Sequence, residues 1–447
     1  MSELLEVGDR VVARARPGEQ VEALVLRSSD TEVRVYEGEI ESFSSAQSHG
    51  VGVRVVVDGR QGFAYAGTLD DDVLAETVAE ARDNAAFGEP DEFNGLAEPD
   101  GVPVAELDLY RDGLLAVPTD DKIALAQELE RAVKGADARI TGVESAEYVD
   151  SVGDAAVVTS TGVRTSGRES ACYVAAYVLA EEDGDTQTGF GFSVGREPAD
   201  LDVARAAADA AERATRLLGA TKPSGGRVAV VLDPYVTAQF LAILGATLSG
   251  DAVLKGRSLF ADRLGETVGS DRLTLVDDPT DARAFTAGQT DGEGLATRRN
   301  VLVEGGTLRR FVHNTYTGRR SGAASTGSAI RSGFKSTPGA GCQALSLLPG
   351  DRTQAELIAD VGDGILVQSV SGLHSGVNPV SGDFSTGAEG LRISGGAVGE
   401  PLREFTIAST IQKMLADVVA VGSDLEWLPM SAAGVSLVIG DVTISGA

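Results

Sequence analysis

The sequence VGVRVVVDGRQGFAY at residues 51–65 carries the clearest structural signal in the chain. Over residues 51–57 valine alternates with glycine or arginine for most of the run, as expected for a strand with one buried face. Asp58-Gly59 follows, and residues 62–65 have the composition of a second strand. An Asp-Gly pair between two such segments is a strong hairpin signal, so this stretch predicts two antiparallel strands.

Helical patterns lie on both sides of further strands in the first half of the chain. Apolar spacing predicts a helix beginning near Leu69, a second over residues 120–134 that stops at Gly135, and a third over residues 202–218. β-Branched and aromatic residues predict strands within 142–179. A linker-like stretch at 221–226 then places a domain boundary after residue 220.

The second half contains mostly short strand patterns. Gly305-Gly306 and Gly395-Gly396 predict two hairpin turns, and residues 318–341 have the composition of a loop. Helices are predicted near residues 235–248, 353–361 and 410–421, and the strands over residues 228–232, 301–304, 308–313, 391–393, 401–407, 435–439 and 442–444. The expected fold class is α+β with two domains. Residues 1–220 form a mixed α/β domain and residues 221–447 a mainly antiparallel β domain.

Composition excludes several functional classes. The 447 residues carry a formal charge of −29, which repels polyanions, so direct binding of nucleic acid is not expected. No apolar stretch is long enough for a membrane helix, and the acidic N-terminus does not resemble a signal peptide. Cys172 and Cys342 are the only two cysteines, and they form no CxxC motif. We therefore expect a cytoplasmic protein without a disulfide framework or a zinc ribbon.

Two glycine-containing patterns match catalytic or cofactor motifs. Residues 191–195 match the G-x-S-x-G of serine hydrolases, with Ser193 as the nucleophile, but the motif requires a helix directly after the serine and Pro198 intervenes. Residues 339–344 match the dinucleotide pattern G-x-G-x-x-A without a preceding strand. For the first segment, a glycine-rich strand or turn is the favoured interpretation. In the second, a bound phosphate would lack the helix N-terminus that the motif supplies.

The remaining chemical groups are few. His313 and His374 can each line a pocket, although a hydrogen-bonded structural histidine is the more common role. The closely spaced acids at 277–278 and 291–293 are suitable for binding a cation or for acid–base chemistry, but in a chain with 67 acids turn formation and solvation are the favoured explanation. We predict no catalytic and no metal-binding residue in this chain. Four residues remain as candidates for a substrate pocket: His313, Asn314, His374 and Asp383.

A series of short motifs resembles the TldD/PmbA family, whose members are also labelled modulators of DNA gyrase, and is closest to its PmbA (TldE) branch. The motifs occur in the family's order over nearly the whole chain: residues 52–54 and 62–64, QFLAILGATLSGD at 239–251, KGRSLF at 255–260, LVDDP at 275–279, DGEG at 291–294, NTY at 314–316, STG at 325–327 and GDFS at 382–385. The resemblance implies a two-domain α+β subunit that pairs with a like subunit.

The TldD branch of that family is a zinc peptidase with His-Glu-x-x-x-His on a helix. In this chain the corresponding positions are Leu241, Ala242 and Ala246, and residues 382–390 contain no cysteine to serve as the further ligand. The resemblance thus implies a non-catalytic subunit without a cofactor of its own. A TldD-like partner would hold the zinc, and the complex would act on unfolded peptides. The alternatives are a homodimeric peptide-binding or gyrase-modulating protein and, with less support, an autonomous hydrolase using Ser193.

Overall fold

The hairpin predicted over residues 51–65 is present at one edge of a six-stranded antiparallel sheet in the computed structural model, which describes residues 2–446. Asp58 and Gly59 have φ angles of 49° and 71°. These left-handed values are what a two-residue hairpin turn requires and what an Asp-Gly pair adopts at low cost. The turn was therefore specified by local sequence alone.

Residues 2–220 contain one sheet and four α-helices, together with two three-residue 3-10 helices. The sheet has the order β3-β2-β1-β4-β5-β6. All four helices pack on the sheet through alternate, inward-facing strand residues. In chain order the elements are α1 (Ser2–Val12), β1 (Gln20–Tyr36), β2 (Glu39–Val57), β3 (Arg60–Ala66), α2 (Asp71–Phe87), α3 (Thr119–Ala136), β4 (Ile140–Thr159), β5 (Arg164–Glu182), β6 (Asp185–Gly195) and α4 (Val203–Thr215).

The C-terminal half is built around a second sheet. It consists of many short elements: β7 (Gly226–Leu232), α5 (Pro234–Thr247), α6 (Gly250–Leu254), β8 (Leu275–Asp277), β9 (Asn300–Glu304), β10 (Thr307–Leu308), α7 (Thr315–Arg320), β11 (Ala329–Ile330), β12 (Gly339–Ala340), β13 (Leu345–Leu347), α8 (Gln354–Val361), β14 (Gly364–Ser371), α9 (Leu373–Gly376), β15 (Asp383–Ser394), β16 (Ala397–Thr410), α10 (Ile411–Ala416), β17 (Val418–Val421), β18 (Glu426–Trp427), β19 (Ala433–Gly434) and β20 (Leu437–Ser445).

The second sheet closes on itself. Its order is β16-β15-β14-β7-β20-β17, and β20 also pairs with β16. All of its pairings are antiparallel except that of β7 with β14. Helix α5 contributes Phe240, Leu241 and Leu244 to the large core that this sheet encloses. The predicted α+β class, with an antiparallel second half, is confirmed; the boundary after residue 220 stays a prediction.

Several predicted elements need correction. The helix expected over 410–421 ends at Ala416, because the valine-rich segment that follows pairs with β20 as strand β17. The strand expected over 308–313 ends at Leu308, and Val312 makes only an isolated bridge to Ser249. The two closing strands are one strand with an irregular register. The second helix continues past Gly135, and the loop at 318–341 includes β11 and β12.

Helix α1 and strand β1, which precede the first predicted strand, have no counterpart in the sequence analysis. Strand β2 is 19 residues long, although only residues 51–57 of it were predicted. No helix in residues 2–446 combines the length and apolar character needed to cross a membrane.

Candidate functional site

Helix α5 is the element that the family resemblance singles out. Asp233 is its N-cap and accepts a hydrogen bond from the backbone N–H of Tyr235, and Pro234 occupies the first helical position. The remaining residues are almost all apolar, so the helix lacks a polar face. A helix of this composition is normally covered by other protein on most of its sides.

Three positions on α5 correspond, by the resemblance, to the two histidines and the glutamate of a zinc peptidase. Leu241 is 1% exposed and packs in the apolar core, whereas Ala242 and Ala246 are exposed. None of the three side chains has a nitrogen, oxygen or sulfur atom that could bind zinc or accept a proton. These residues do not fit a zinc ion, and the helix supplies neither a ligand nor a general base.

The cysteines and acids elsewhere do not compensate for this loss. Within residues 2–446, no three histidine, cysteine, aspartate or glutamate side chains lie close enough to hold a metal ion together. Both thiols are unpaired, and burial raises the pKa of Cys172 to about 12 and that of Cys342 above its usual value. A thiol that keeps its proton at neutral pH is a poor nucleophile.

His313 and Asn314 lie together at the start of α7, close to the end of α5. Asn314 is the N-cap of α7 and accepts a hydrogen bond from the backbone N–H of Thr317. The His313 ring is buried, its Nδ1 atom lies 3.3 Å from the Thr317 hydroxyl, and a Cβ at Gly250 would collide with it. Burial lowers the pKa of His313, which favours the neutral ring. Both residues thus have structural roles in holding α6 against α7.

His374 and Asp383 lie apart from that pair. His374 is exposed on α9, and Asp383 is exposed at the start of β15, where it accepts a hydrogen bond from the Ser381 hydroxyl. In the described chain, no hydrogen bond or ion pair joins these residues to His313 or Asn314. The grouping of the four in one substrate pocket stays a prediction.

A cavity of about 670 Å³ lies between the N-terminal sheet and the C-terminal half. It is on the sheet face opposite the helices, where β1, β2, β4 and β5 present small and polar residues together with Leu24, Leu26 and Val157. Arg168 pairs with Asp154 at 2.6 Å and lies over the ring of Tyr110. Polar and charged residues from both halves line the cavity, including Arg27, Ser28, Ser48, Asp154, Arg168, Asp291, Arg331 and Lys335.

A buried charge cluster joins the two halves beside this cavity. The Arg54 guanidinium on β2 lies 2.7 Å from Glu22 and 3.3 Å from Glu293, and Arg331 also pairs with Glu22. All four side chains are at most 4% exposed. Although burial acts to raise it, the charges of Arg331 and Arg54 hold the pKa of Glu22 below its usual range.

Asp291 adds a titratable group to the cluster. Its carboxylate accepts hydrogen bonds from the backbone N–H groups of Glu293, Leu295 and Ala329 at 2.9–3.0 Å. Burial, together with the charge of Glu293, nevertheless raises the pKa of Asp291 to about 7. Glu293 in turn accepts a hydrogen bond from the backbone N–H of Thr315, which ties the cluster to α7.

The two motif matches lack the structure that their chemistry requires. Ser193 lies inside strand β6, and its hydroxyl accepts a hydrogen bond from the backbone N–H of Asp202. Helix α4 begins only at Val203, so there is no sharp turn from strand to helix around the serine. Gly339 and Ala340 form the two-residue strand β12, and no helix follows to receive a phosphate. Residues 191–195 therefore lie in a strand, as favoured from the sequence, whereas residues 341–344 lie outside any strand.

Family models assign most of the chain. Residues 21–85, 112–218 and 225–446 match domain 1, the central domain and the C-terminal domain of the PmbA/TldA metallopeptidases. The chain belongs to the PmbA/TldD family. Among its relatives, the metalloprotease PmbA of Escherichia coli O157:H7 is 28% identical over 91% of this chain and 88% of its own length.

Further members of the PmbA/TldD family match over a similar share of the chain. A metalloprotease of Methanocaldococcus jannaschii is also 28% identical, over 95% of this chain and 92% of its own. The crystal structure of TldE from Thermococcus kodakarensis superimposes with a TM-score of 0.90 over the whole of both chains. At 23% identity, that superposition establishes a shared fold.

Sequence reasoning missed the cavity and the charge cluster of this family member. Arg331 and Glu22 are 309 residues apart in the chain, so no local pattern could pair them. One signal was available. Arg54 occupies a position in the middle of a valine-rich strand, where a charged residue is rare unless it is paired.

Proposed function

We propose that this chain is a non-catalytic subunit of a metallopeptidase complex that acts on unfolded peptides. In this proposal, a TldD-like subunit holds the zinc ion. The observation that carries the proposal is helix α5, where the fold of the family is kept but Leu241, Ala242 and Ala246 lack every group that the reaction needs. Peptide hydrolysis requires an activated water and stabilisation of the oxyanion, which must then come from the other subunit.

The exposed side of α5 supports a role beside a partner. Ala242 and Ala246 are exposed and Ile243 is half-buried, so an apolar stripe remains open on a helix that has no polar face. Apolar helix surface of this kind is normally covered in the working protein. A second subunit, or the peptide enclosed between two subunits, would cover it.

The interdomain cavity supports a role in holding the peptide. Its lining includes Arg27, Arg168 and Lys335, together with serine hydroxyls, in a protein whose net charge is −29. Such groups donate hydrogen bonds to peptide carbonyl oxygens and to carboxylates without selecting a sequence. This chain would thus bind and orient substrate rather than cleave it. The proposal includes a cytoplasmic location, in keeping with the two unpaired thiols.

The proposal is tested with the purified chain, alone and mixed with a TldD-like subunit from the same organism. We expect no cleavage of an unfolded casein substrate by the chain alone, and chelator-sensitive cleavage by the mixture. Mass spectrometry under native conditions should show a one-to-one complex of the two chains. Ser193→Ala is the matched control and should leave the cleavage by the mixture unchanged.

Three results would contradict the proposal. One is chelator-resistant cleavage by the chain alone that Ser193→Ala abolishes, which would favour an autonomous hydrolase. Another is stoichiometric zinc in the purified chain that is lost with His313→Ala or His374→Ala. The third is a chain that binds casein but never associates with the metal-bearing subunit, which would favour the homodimeric peptide-binding alternative.

A further inference from the structure

The open face of the N-terminal sheet continues beyond the interdomain cavity. The residues of β5 that face the helices share one buried core: Cys172, Val174, Ala176 and Val178. Tyr173 and Tyr177 alternate with them and therefore lie on the opposite face. Ser151 of the cavity lining pairs with Ala171, two residues before Tyr173. The two tyrosines thus extend the cavity wall toward the turn between β1 and β2.

Aromatic rings cover this face where β5 and β6 lie beside α5. Phe190 and Phe192 of β6 alternate with glycines that contact helix α4, so both rings are on the open face. The ring centroid of Phe190 lies 6.2 Å from that of Tyr177 and 4.4 Å from that of Tyr235 on α5. Tyr177 is 50% exposed. Together, Tyr173, Tyr177, Phe190 and Phe192 form an aromatic face, and exposed apolar surface of this kind marks an interaction site.

Two carboxylates border the aromatic face at Tyr173. Val149 of β4 pairs with Tyr173 on one side and with Glu32 of β1 on the other. Glu147 is two residues before Val149 and faces the same way. Burial and the charges of Glu147 and Glu32 raise the pKa of Tyr173, so both carboxylates are close enough to act on its hydroxyl group.

Neither carboxylate is neutralised within the described chain. Glu32 is exposed and Glu147 is half-buried, and in residues 2–446 neither side chain makes an ion pair or a hydrogen bond. Arg34 lies opposite Glu147 in the strand register, but its guanidinium pairs with Glu41 at 2.7 Å. Unpaired negative charge beside an electron-rich ring attracts a cation from outside the chain.

We propose that the aromatic face binds a basic residue of an extended peptide, with its charged group over the ring of Tyr173 and between Glu32 and Glu147. Tyr173 and Tyr177 are four residues apart on one strand, which is about 13 Å. An extended peptide along β5 would therefore place an apolar side chain on Tyr177 four positions from the basic residue. This inference rests on the proposed function and names its substrate class: unfolded segments that combine lysine or arginine with an apolar residue at this spacing.

Charge favours a cationic peptide over a second copy of the chain. A second copy also carries a net charge of −29 and would bring further carboxylates to the two already present. Arg213 lies 4.4 Å over the ring of Phe190. In residues 2–446 no cation lies over Tyr173 or Tyr177, so these two rings are available to a ligand. A peptide held in the interdomain cavity can reach them along one continuous sheet face.

Peptide binding to the full chain tests the two carboxylates. The probe is the acetylated and amidated peptide GSKGSGFSG, measured by isothermal titration calorimetry at about 150 mM NaCl, where more distant charges are screened. Changing both Glu32→Gln and Glu147→Gln should raise the dissociation constant at least fivefold. The matched control is Glu76→Gln with Glu80→Gln, which removes the same charge from exposed positions of α2, on the other side of the sheet. It should change the dissociation constant less than twofold.

The ring of Tyr173 is tested separately. Tyr173→Leu should weaken binding at least threefold, whereas Tyr173→Phe should preserve it, because a cation needs the ring but not the hydroxyl group. The peptide GSEGSGFSG, with glutamate in place of lysine, should show no measurable binding.

These measurements need neither zinc nor a partner. Their failure would leave the proposed complex standing, and absence of that complex would leave the peptide binding unchanged. Equal weakening in the two double variants would overturn the proposal, because it would show attraction by net charge alone. So would equal binding of the glutamate peptide, or a Tyr173→Leu variant that binds like the wild type. A dimer of the chain that excludes the peptide and dissociates with Tyr177→Ser would show that a second copy covers the face instead.

Discussion

The junction between the two halves is built from buried charged side chains, whereas helix α5 contains no charged residue. At the junction, Glu22, Arg54, Glu293 and Arg331 are buried and paired. On α5, at the positions where the family's peptidases are expected to carry histidine and glutamate, the side chains are aliphatic, and Leu241 belongs to the apolar core.

This contrast separates structure from catalysis within one fold. Burying four charges is costly unless each is paired. Glu22 and Arg54 each have two partners, so removing Glu22 leaves Arg331 unpaired and removing Arg54 leaves Glu293 unpaired. The helix is under no such constraint, because aliphatic residues there stabilise the core directly. A chain can therefore carry aliphatic residues at these positions of α5 and still keep the architecture of its family.

The largest loss of stability should come from replacing Arg54, which pairs with a carboxylate from each half of the chain. In Arg54→Ala the carboxylates of Glu22 and Glu293 lose a guanidinium at 2.7 and 3.3 Å. Breaking a buried ion pair on one side costs about 3–5 kcal/mol, so we expect a large loss in the free energy of unfolding by urea.

The matched control for that variant is Arg10→Ala. Arg10 pairs with Asp71 at 3.3 Å, but the two side chains are 47% and 57% exposed. An exposed pair contributes about 1 kcal/mol or less. If both variants lost the same free energy, the cluster would not be what holds the junction.

Substitutions on α5 should cause a smaller loss of stability, and the size of the loss should differ between its buried face and its open face. Leu241→Ala removes a side chain that is 1% exposed, for an expected loss of about 3 kcal/mol, whereas Ala246→Ser on the open face should change stability by less than about 0.5 kcal/mol. Urea unfolding of both variants measures the difference. The same geometry predicts that Leu241→His combined with Ala242→Glu and Ala246→His destabilises the chain, because the first histidine is directed into the apolar core.

A triple variant that is as stable as the wild type and binds one zinc ion would contradict this account of α5. It would show that Leu241 can turn toward the open face at little cost.

Local chemistry explains which elements could be predicted from the sequence. The Asp58-Gly59 turn and the Thr353–Glu356 capping box depend on residues within four positions of each other, and both are present. The segment 418–421 continues a helical pattern, but its strand state depends on pairing with β20, which lies further along the chain. Valine favours strands, and tertiary pairing overrides the helical pattern here.

The candidate site likewise contains contacts that local sequence predicts and contacts that depend on residues far apart in the chain. Asp291 was interpreted as a turn residue, and its side chain does accept hydrogen bonds from two backbone N–H groups of its own turn. The ion pair between Glu293 and Arg54, by contrast, joins residues 239 positions apart. A sequence shows that acids are present but not that an arginine from another sheet lies against them.

The smallest predicted effect is a pH dependence at the junction. Burial raises the pKa of Asp291 in the folded chain to about 7, from a usual value of 3.8. Between these values the folded state holds a proton that the unfolded state releases, so stability falls as pH rises. From pH 5.5 to 7.5 the loss through this group amounts to about 2 kcal/mol. The stability that Asp291 contributes is fully present below pH 4, where its carboxyl group is protonated in both the folded and the unfolded state, and it is lost as the pH rises through 7. Urea unfolding across this range, compared between the wild type and Asp291→Asn, measures it.

The Asp291→Asn variant has its own fixed cost in stability, because an amide presents a donor to one of the three backbone N–H groups, but that cost does not change with pH. We therefore expect the stability difference between the two proteins to shift by about 2 kcal/mol in favour of the variant as pH rises. A constant difference would show that the three backbone donors keep Asp291 ionised throughout, so that the junction carries one more negative charge than positive at neutral and mildly acidic pH alike.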